Sequence, residues 1–444
     1  MLNDTHRPDL RAWVTSANDG ITDFPIQNLP YGVFRRRASD EPWRVGVAIG
    51  AEILDIPAVH RLGWLDGSTN GAATTCASGS LNGLMSLERD DWSALRRSLS
   101  DLLRHDTPTG RLAHAHADAV LVSQADAEMR LPAHVGDYTD FYASVFHATN
   151  VGSLFRPDNP LLPNYKWIPI GYHARASSLV VSGTPVVRPL GQVAGEGGGP
   201  PRVARSGRLD YEAELGLFVA RGNALGSTIS IDEAPDHMFG IALLNDWSAR
   251  DIQAWEYQPL GPFLAKSFAT TLSPWVVTFE ALAPFRVAAF ARPAGDPSPL
   301  PYLADAGDQA YGGVDLAVEI WIRTARMRVE GQPATRLSRG NARDLYWTMA
   351  QLLTHHASNG CNLQPGDLLG SGTISGAERD SRGCLLELTQ GGKEPVSLPN
   401  GEKRRFLEDG DEVILRGHCE RAGHVRIGFG ECSGVVVPAN TSTY

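Results

Sequence analysis

Cysteine is scarce: Cys76, Cys361, Cys384, Cys419 and Cys432 are the five in 444 residues, odd in number and without a C-x-x-C pair. Such scarcity excludes a disulfide framework or a zinc knuckle and points to a reducing compartment. Basic charge is also short, with 40 Lys and Arg against 50 Asp and Glu for a net charge of −10, which argues against nucleic-acid binding. No run approaches the roughly 18 apolar residues that cross a bilayer. Met1–Gly20 lacks the apolar core of a secretory signal. A cytoplasmic chain with no membrane or nucleic-acid partner is expected. Phosphate and dinucleotide cradles are missing too. The glycines of Gly195–Pro201 lead into no Gly-Lys-Ser/Thr, and Gly428–Gly434 has the wrong spacing for a dinucleotide fingerprint and no βαβ context.

What remains is an ordinary globular composition, 42% hydrophobic and 20% charged, in a chain long enough for two domains. Many short strands and few helices predict a mainly β fold. Arg44–Gly50 and Glu52–Ile56 read as a hairpin, Leu84–Leu103 as a helix, and the residues around Gly67–Ala73 as a loop. Leu131-Pro132 marks a boundary, giving domains 1–130 and 131–444. Leu179–Val181, Pro185–Val187 and Ala317–Ile322 read as strands. The Pro-rich stretch from Ala283 to Gly313 reads as a surface excursion. Asp344–Ser358 is amphipathic and closes at Asn359-Gly360. Leu385–Leu388 buries Glu387 in what reads as an apolar strand.

Chemistry concentrates between Leu209 and Thr271. In L-D-Y-E-A-E-L, Glu212 and Glu214 stand two apart, on one face of a strand. Asp246, Arg250, Gln253 and Tyr257 fall at i, i+4, i+7 and i+11, one stripe if the segment is helical throughout. Asp140 and His147, seven apart, would likewise share a helical face. A polar stripe in so apolar a neighbourhood is half of an active site, with a hard cation held by carboxylates. His355-His356, by contrast, closes a helix and is expected to be structural.

The blocks Asp23–Phe34, Asp140–Asn150, Gly171–His173, Asp210–Glu214, Asn245–Tyr257, Gly261–Thr271, Thr354–Leu363, Gly372–Gly376 and Arg426–Gly430 resemble the fumarylacetoacetate hydrolase family. The resemblance covers most of the chain, and is thin only before Gly20 and near 65–80, 195–208 and 285–312. It implies a small amino-terminal SH3-like β-barrel, a larger carboxy-terminal β-sandwich roll and a homodimer. The implied activity is hydrolysis of a carbon–carbon bond in a 1,3-diketo acid, 4-fumarylacetoacetate, the last step of tyrosine and phenylalanine breakdown. By the same resemblance Asp140, Glu212, Glu214 and Asp246 hold Mg²⁺ or Ca²⁺, an all-oxygen set that suits a hard ion, with Lys266 and Thr270 behind them. His147 oriented by Glu387 would activate water, and Arg250, Gln253 and Lys266 would steady the oxyanion. Tyr142, Arg156, Tyr172, Gln253, Tyr257 and Thr373 would contact substrate. Relatives built on the second domain alone decarboxylate, isomerise or hydrolyse acylpyruvates, so the acids by themselves leave the reaction open.

Overall fold

The computed structural model describes residues 2–65, 67 and 69–440. It is mainly β. An antiparallel five-stranded sheet runs Leu121–Ser123, Glu52–Asp55, Arg44–Ile49, Tyr31–Arg36, Ala127–Arg130. The expected hairpin is present, turning at Gly50, whose φ of 55° lies in the left-handed region open to glycine. Two helices, Asn82–Met85 and Arg89–Leu103, replace the continuous one expected, because Glu88 is extended and caps the second in a box with Asp91. Asn70–Thr75 is helical rather than loop, although Ser68 lies outside the described residues.

The sheet that carries the site is mixed. Its strands run Gly171–His173, Tyr138–Phe141, Leu368–Gly370, Ala213–Val219, Met238–Asp246, Thr270–Leu272, Leu179–Val181. Two of its pairings are parallel, Leu368–Gly370 with Tyr138–Phe141 and Thr270–Leu272 with Leu179–Val181. Side chains alternate between faces. One face therefore collects Tyr138 and Asp140; Glu214, Gly216 and Phe218; Ala242, Leu244 and Asp246; Thr270 and Leu272; Leu368 and Gly370. Its apolar end (Tyr138, Phe218, Leu244, Leu272, Leu368) packs in one core with Tyr31, Val33, Trp92, Leu95 and Leu99 of the amino-terminal part. Its acidic end is left for the site. The opposite face, with Leu215, Leu217, Ile241 and Leu243, packs on Trp347, Leu352, Leu353 and the strands Ala317–Arg323 and Glu412–Cys419.

Three local expectations are corrected. Helix Met349–Ala357 starts later than Asp344, since Thr348 and Gln351 form a capping box. Leu385–Leu388 is one helical turn rather than a strand, because the Leu385 and Leu386 N–H groups donate to the Asp210 carboxylate at 2.8 and 2.9 Å and to no neighbouring strand. The stretch from Ala283 to Gly313 is more than surface loop. It contains the helix Ala306–Tyr311, and Arg292 lies 4.3 Å from the Tyr346 ring and 4.5 Å from that of Trp347.

Candidate active site

Asp140, Glu214 and Asp246 bring one carboxylate oxygen each within 4.8 Å of the others, all three buried. Adjacent strands make this possible. Gly370 lies opposite Asp140, and a Cβ there would meet Asp140 Oδ1 at 2.6 Å, so only glycine lets the acids converge. Asp140 Oδ1 and Glu214 Oε1 have no hydrogen-bond partner. Burial and then the neighbouring Asp246 charge push the Asp140 carboxyl up to about 8. Burial, then Asp140 and Asp246, push Glu214 well up too. Orphaned carboxylate oxygens converging in a buried cradle fit a hard divalent ion.

Asp246 is tied down from behind: Lys266 Nζ donates to it at 2.5 Å, Thr270 Oγ1 at 2.9 Å and the Tyr172 hydroxyl at 3.2 Å. Glu212 stands one place off the cluster. It pairs with Lys266 and, at 2.7 Å, with Arg250 Nη1, and the two cations hold its carboxyl well below the ordinary range against the effect of burial. The single helical stripe through Asp246 and Arg250 does not form. Asp246 ends the strand Met238–Asp246 and Arg250 opens the helix Arg250–Glu256, because Ser248-Ala249 pair with Leu209-Asp210 and keep the chain extended between them. Arg250 still reaches Gln253 Oε1 at 3.1 Å across one turn. Asp140 and His147 likewise belong to different elements, the strand Tyr138–Phe141 and the helix Val145–Phe155, which Ser144 caps.

His147 and Glu387, 240 residues apart, meet: Nδ1 lies 2.6 Å from Oε2. Burial alone would raise the Glu387 carboxyl, but the imidazole and hydrogen bonds from His147, Asn150 and Ser375 hold it at about 2. An ionised carboxylate only accepts, so Nδ1 carries a proton toward Glu387, and in the neutral tautomer that this selects the lone pair falls on Nε2. Nε2 lies 3.9 Å from Glu212 Oε1. Tyr142 stands edge-on to His147, with ring centroids 5.2 Å apart. Thr373 is buried with its hydroxyl unpartnered, beside Gly372, whose N–H donates to Glu214 at 3.1 Å. Arg156 bonds the Pro160 carbonyl at 3.3 Å and none of these groups, and Tyr257 caps the helix that carries Arg250. His355 pairs with the Tyr302 hydroxyl and His356 with Thr139, both away from the acid cluster.

Three neighbours escaped the sequence. Asn150 donates to Glu387 at 2.8 Å and Ser375 does so at 2.8 Å. Asn150 lies three residues from His147 on one helix, a spacing that puts both on one side. The third is Asp210, fully buried, which accepts from Arg250 Nε at 2.9 Å and from the turn that carries Glu387. It stands two residues before Glu212, so a third acid at the same alternation was there to be noticed. Asp210→Asn is expected to cost about 3–5 kcal/mol, as breaking a buried ion pair does, read as a lower unfolding midpoint in denaturant.

The raised Asp140 carboxyl also sets a pH dependence. Between its unfolded value of about 3.9 and its folded value of about 8, the ion-free folded chain holds a proton that the unfolded chain has lost. This contribution to stability therefore falls as pH rises through that window. A divalent ion bound at the cluster would replace the proton, so its gain in Tm is expected to be larger near the top of that window than near its foot. Thermal scans with chelator and with Mg²⁺ check this; an equal gain at both ends would count against it.

An imidazole–carboxylate pair that shares Glu212 with a guanidinium and an ammonium group, near an acid cluster, suits a hydrolase. The comparisons agree. Residues 138–437 match the model for the fumarylacetoacetate (FAA) hydrolase C-terminal region and residues 27–132 that for the fumarylacetoacetase N-terminal region. Fumarylacetoacetase of Bos taurus is 51% identical over 419 residues, covering 94% of this chain and 97% of the relative. The Homo sapiens protein is 49% identical over 94% of this chain and 97% of its own, and that of Oryza sativa 47% over 98% of each. The chain belongs to the fumarylacetoacetate hydrolase family. No helix among the described residues is long and apolar enough to cross a membrane.

Proposed function

We propose that this chain hydrolyses 4-fumarylacetoacetate to fumarate and acetoacetate, the last step of tyrosine and phenylalanine breakdown. The carrying observation is the His147–Glu387 pair at 2.6 Å, with Nε2 3.9 Å from Glu212, the carboxylate that Arg250 also meets. Nε2 takes a proton from water as its oxygen attacks the carbonyl carbon next to the fumaryl double bond. Arg250, Gln253 and Lys266 donate to the oxyanion of the tetrahedral adduct. Glu387 steadies the imidazolium and fixes its tautomer. When the carbon–carbon bond breaks, its electron pair goes to the methylene carbon, where the imidazolium proton returns to give the methyl group of acetoacetate.

A divalent ion, Mg²⁺ or Ca²⁺, held by Asp140, Glu214 and Asp246 with Glu212, Lys266 and Thr270 around them, would polarise the diketone and offset the enolate charge. Tyr142, Tyr172, Tyr257 and Thr373 would line the substrate, and Arg156 would clamp a carboxylate. The unpartnered Arg156 Nε and Thr373 hydroxyl support those two roles. Residues 1–130 as an SH3-like barrel, 131–444 as a sandwich roll, a cytoplasmic setting and a homodimer belong to the same proposal. The five-stranded antiparallel sheet supports the first of these.

The test follows the loss of diketone absorbance with Mg²⁺ or Ca²⁺ present and identifies the products. No turnover by folded, ion-loaded protein would end the proposal. Decarboxylation exceeding hydrolysis would point to a different oxo acid.

A further inference from the structure

The His147–Glu387 pair has a third neighbour for which the hydrolysis has no use. Cys384 is fully buried, and its Sγ lies 3.2 Å from Glu387 Oε2, the oxygen that also faces His147 Nδ1 at 2.6 Å. One ligand atom from each of the three falls within 4.8 Å of the other two. Imidazole nitrogen, sulfur and a single carboxylate oxygen form a donor set for Zn²⁺ or Cd²⁺ and a poor one for Mg²⁺ or Ca²⁺. The acid cluster next door offers oxygen alone. The two groups therefore sort ions by softness. None of Cys76, Cys361, Cys419 and Cys432 belongs to such a group among the described residues.

We propose that His147, Cys384 and Glu387 form a second, inhibitory site for a thiophilic divalent ion. Its effect on rate rests on His147 being the base; its binding does not. Tetrahedral bonds of the length Zn²⁺ makes place nitrogen and oxygen roughly 3.3 Å apart, and sulfur and oxygen roughly 3.6 Å. The present separations of 2.6 and 3.2 Å thus open by well under an ångström, which the one-turn segment Leu385–Leu388 must supply. The protons balance. Starting from the neutral imidazole, Nδ1 and Sγ each carry one and Nε2 carries none. The ion expels the thiol proton to solvent, as a coordinating metal does, and the Nδ1 proton moves to Nε2. One proton leaves per ion bound. With Nε2 now an N–H, the imidazole cannot accept a proton from water.

The test titrates Cd²⁺ into the full chain saturated with Mg²⁺, following thiolate-to-Cd²⁺ charge-transfer absorbance and rate together. Wild type is expected to gain the absorbance of one thiolate with one proton released, to lose its rate in step, and to recover it on chelation and return of Mg²⁺. Cys384→Ser should show no such band and, relative to its own Cd²⁺-free rate, need about 100-fold more Cd²⁺ or beyond for half inhibition, more than the loss of a supporting group alone costs. Cys361→Ser should behave as wild type. A band that survives Cys384→Ser or vanishes in Cys361→Ser would overturn the proposal, as would equal Cd²⁺ sensitivity of Cys384→Ser and wild type. An inactive chain that still gives the Cys384-dependent band would fail the proposed hydrolysis and leave the ion site standing.

Discussion

His147→Ala is expected to lower kcat about 10³–10⁴-fold, near the upper end of what a positioned general base contributes, while KM and divalent-ion affinity change little. The geometry separates the two effects. His147 is not part of the acid cluster, and its nearest approach to the acids is 3.9 Å, to Glu212, whose charge is already met by Arg250 and Lys266. Its removal does not strand Glu387, which keeps hydrogen bonds from Asn150 and Ser375. Steady-state kinetics at saturating Mg²⁺ and calorimetry of ion binding read the two quantities apart. Because the pair acts as a unit, adding Glu387→Gln to His147→Ala should cost little more than His147→Ala alone. Undiminished kcat in His147→Ala would remove it from the chemistry.

Asp246→Ala should act on the other half of the site. It deletes one of three clustered acids and the acceptor of Lys266, Thr270 and Tyr172. Divalent-ion affinity is expected to fall by about 100-fold or more, beyond the usual effect of losing a supporting group alone, and activity at ordinary Mg²⁺ should fall with it. Lys266 keeps Glu212 as a partner, so the chain should still fold. Calorimetry gives the answer directly. Wild-type affinity in this variant would take Asp246 out of the ion site.

Much of this site lay open in the sequence because strands alternate. The L-D-Y-E-A-E run put its acids at every second position, and the chain keeps Glu214 on the sheet face that Asp140 and Asp246 share. Periodicity misled where an element ended inside the pattern. Asp246 and Arg250 sit at helical spacing, yet a two-residue ladder to Leu209-Asp210 holds the chain between them extended. Glu387 read as a strand residue because Leu-Leu-Glu-Leu says nothing of Asp210, 175 residues away, which takes the N–H groups a strand would have paired. No spacing rule could bring His147 to Glu387 across 240 residues; only the family resemblance linked them.

The sheet face that is acidic at one end and apolar at the other makes remoteness a poor guide to harm. Trp92 and Tyr31 lie against Phe239, in the same core as Phe218 and Leu244, on the strands that carry Glu214 and Asp246. A cavity carved there would slacken both strands beneath the carboxylates without touching one of them. Substitutions in the first hundred residues would thus be read out as weaker binding of a divalent ion.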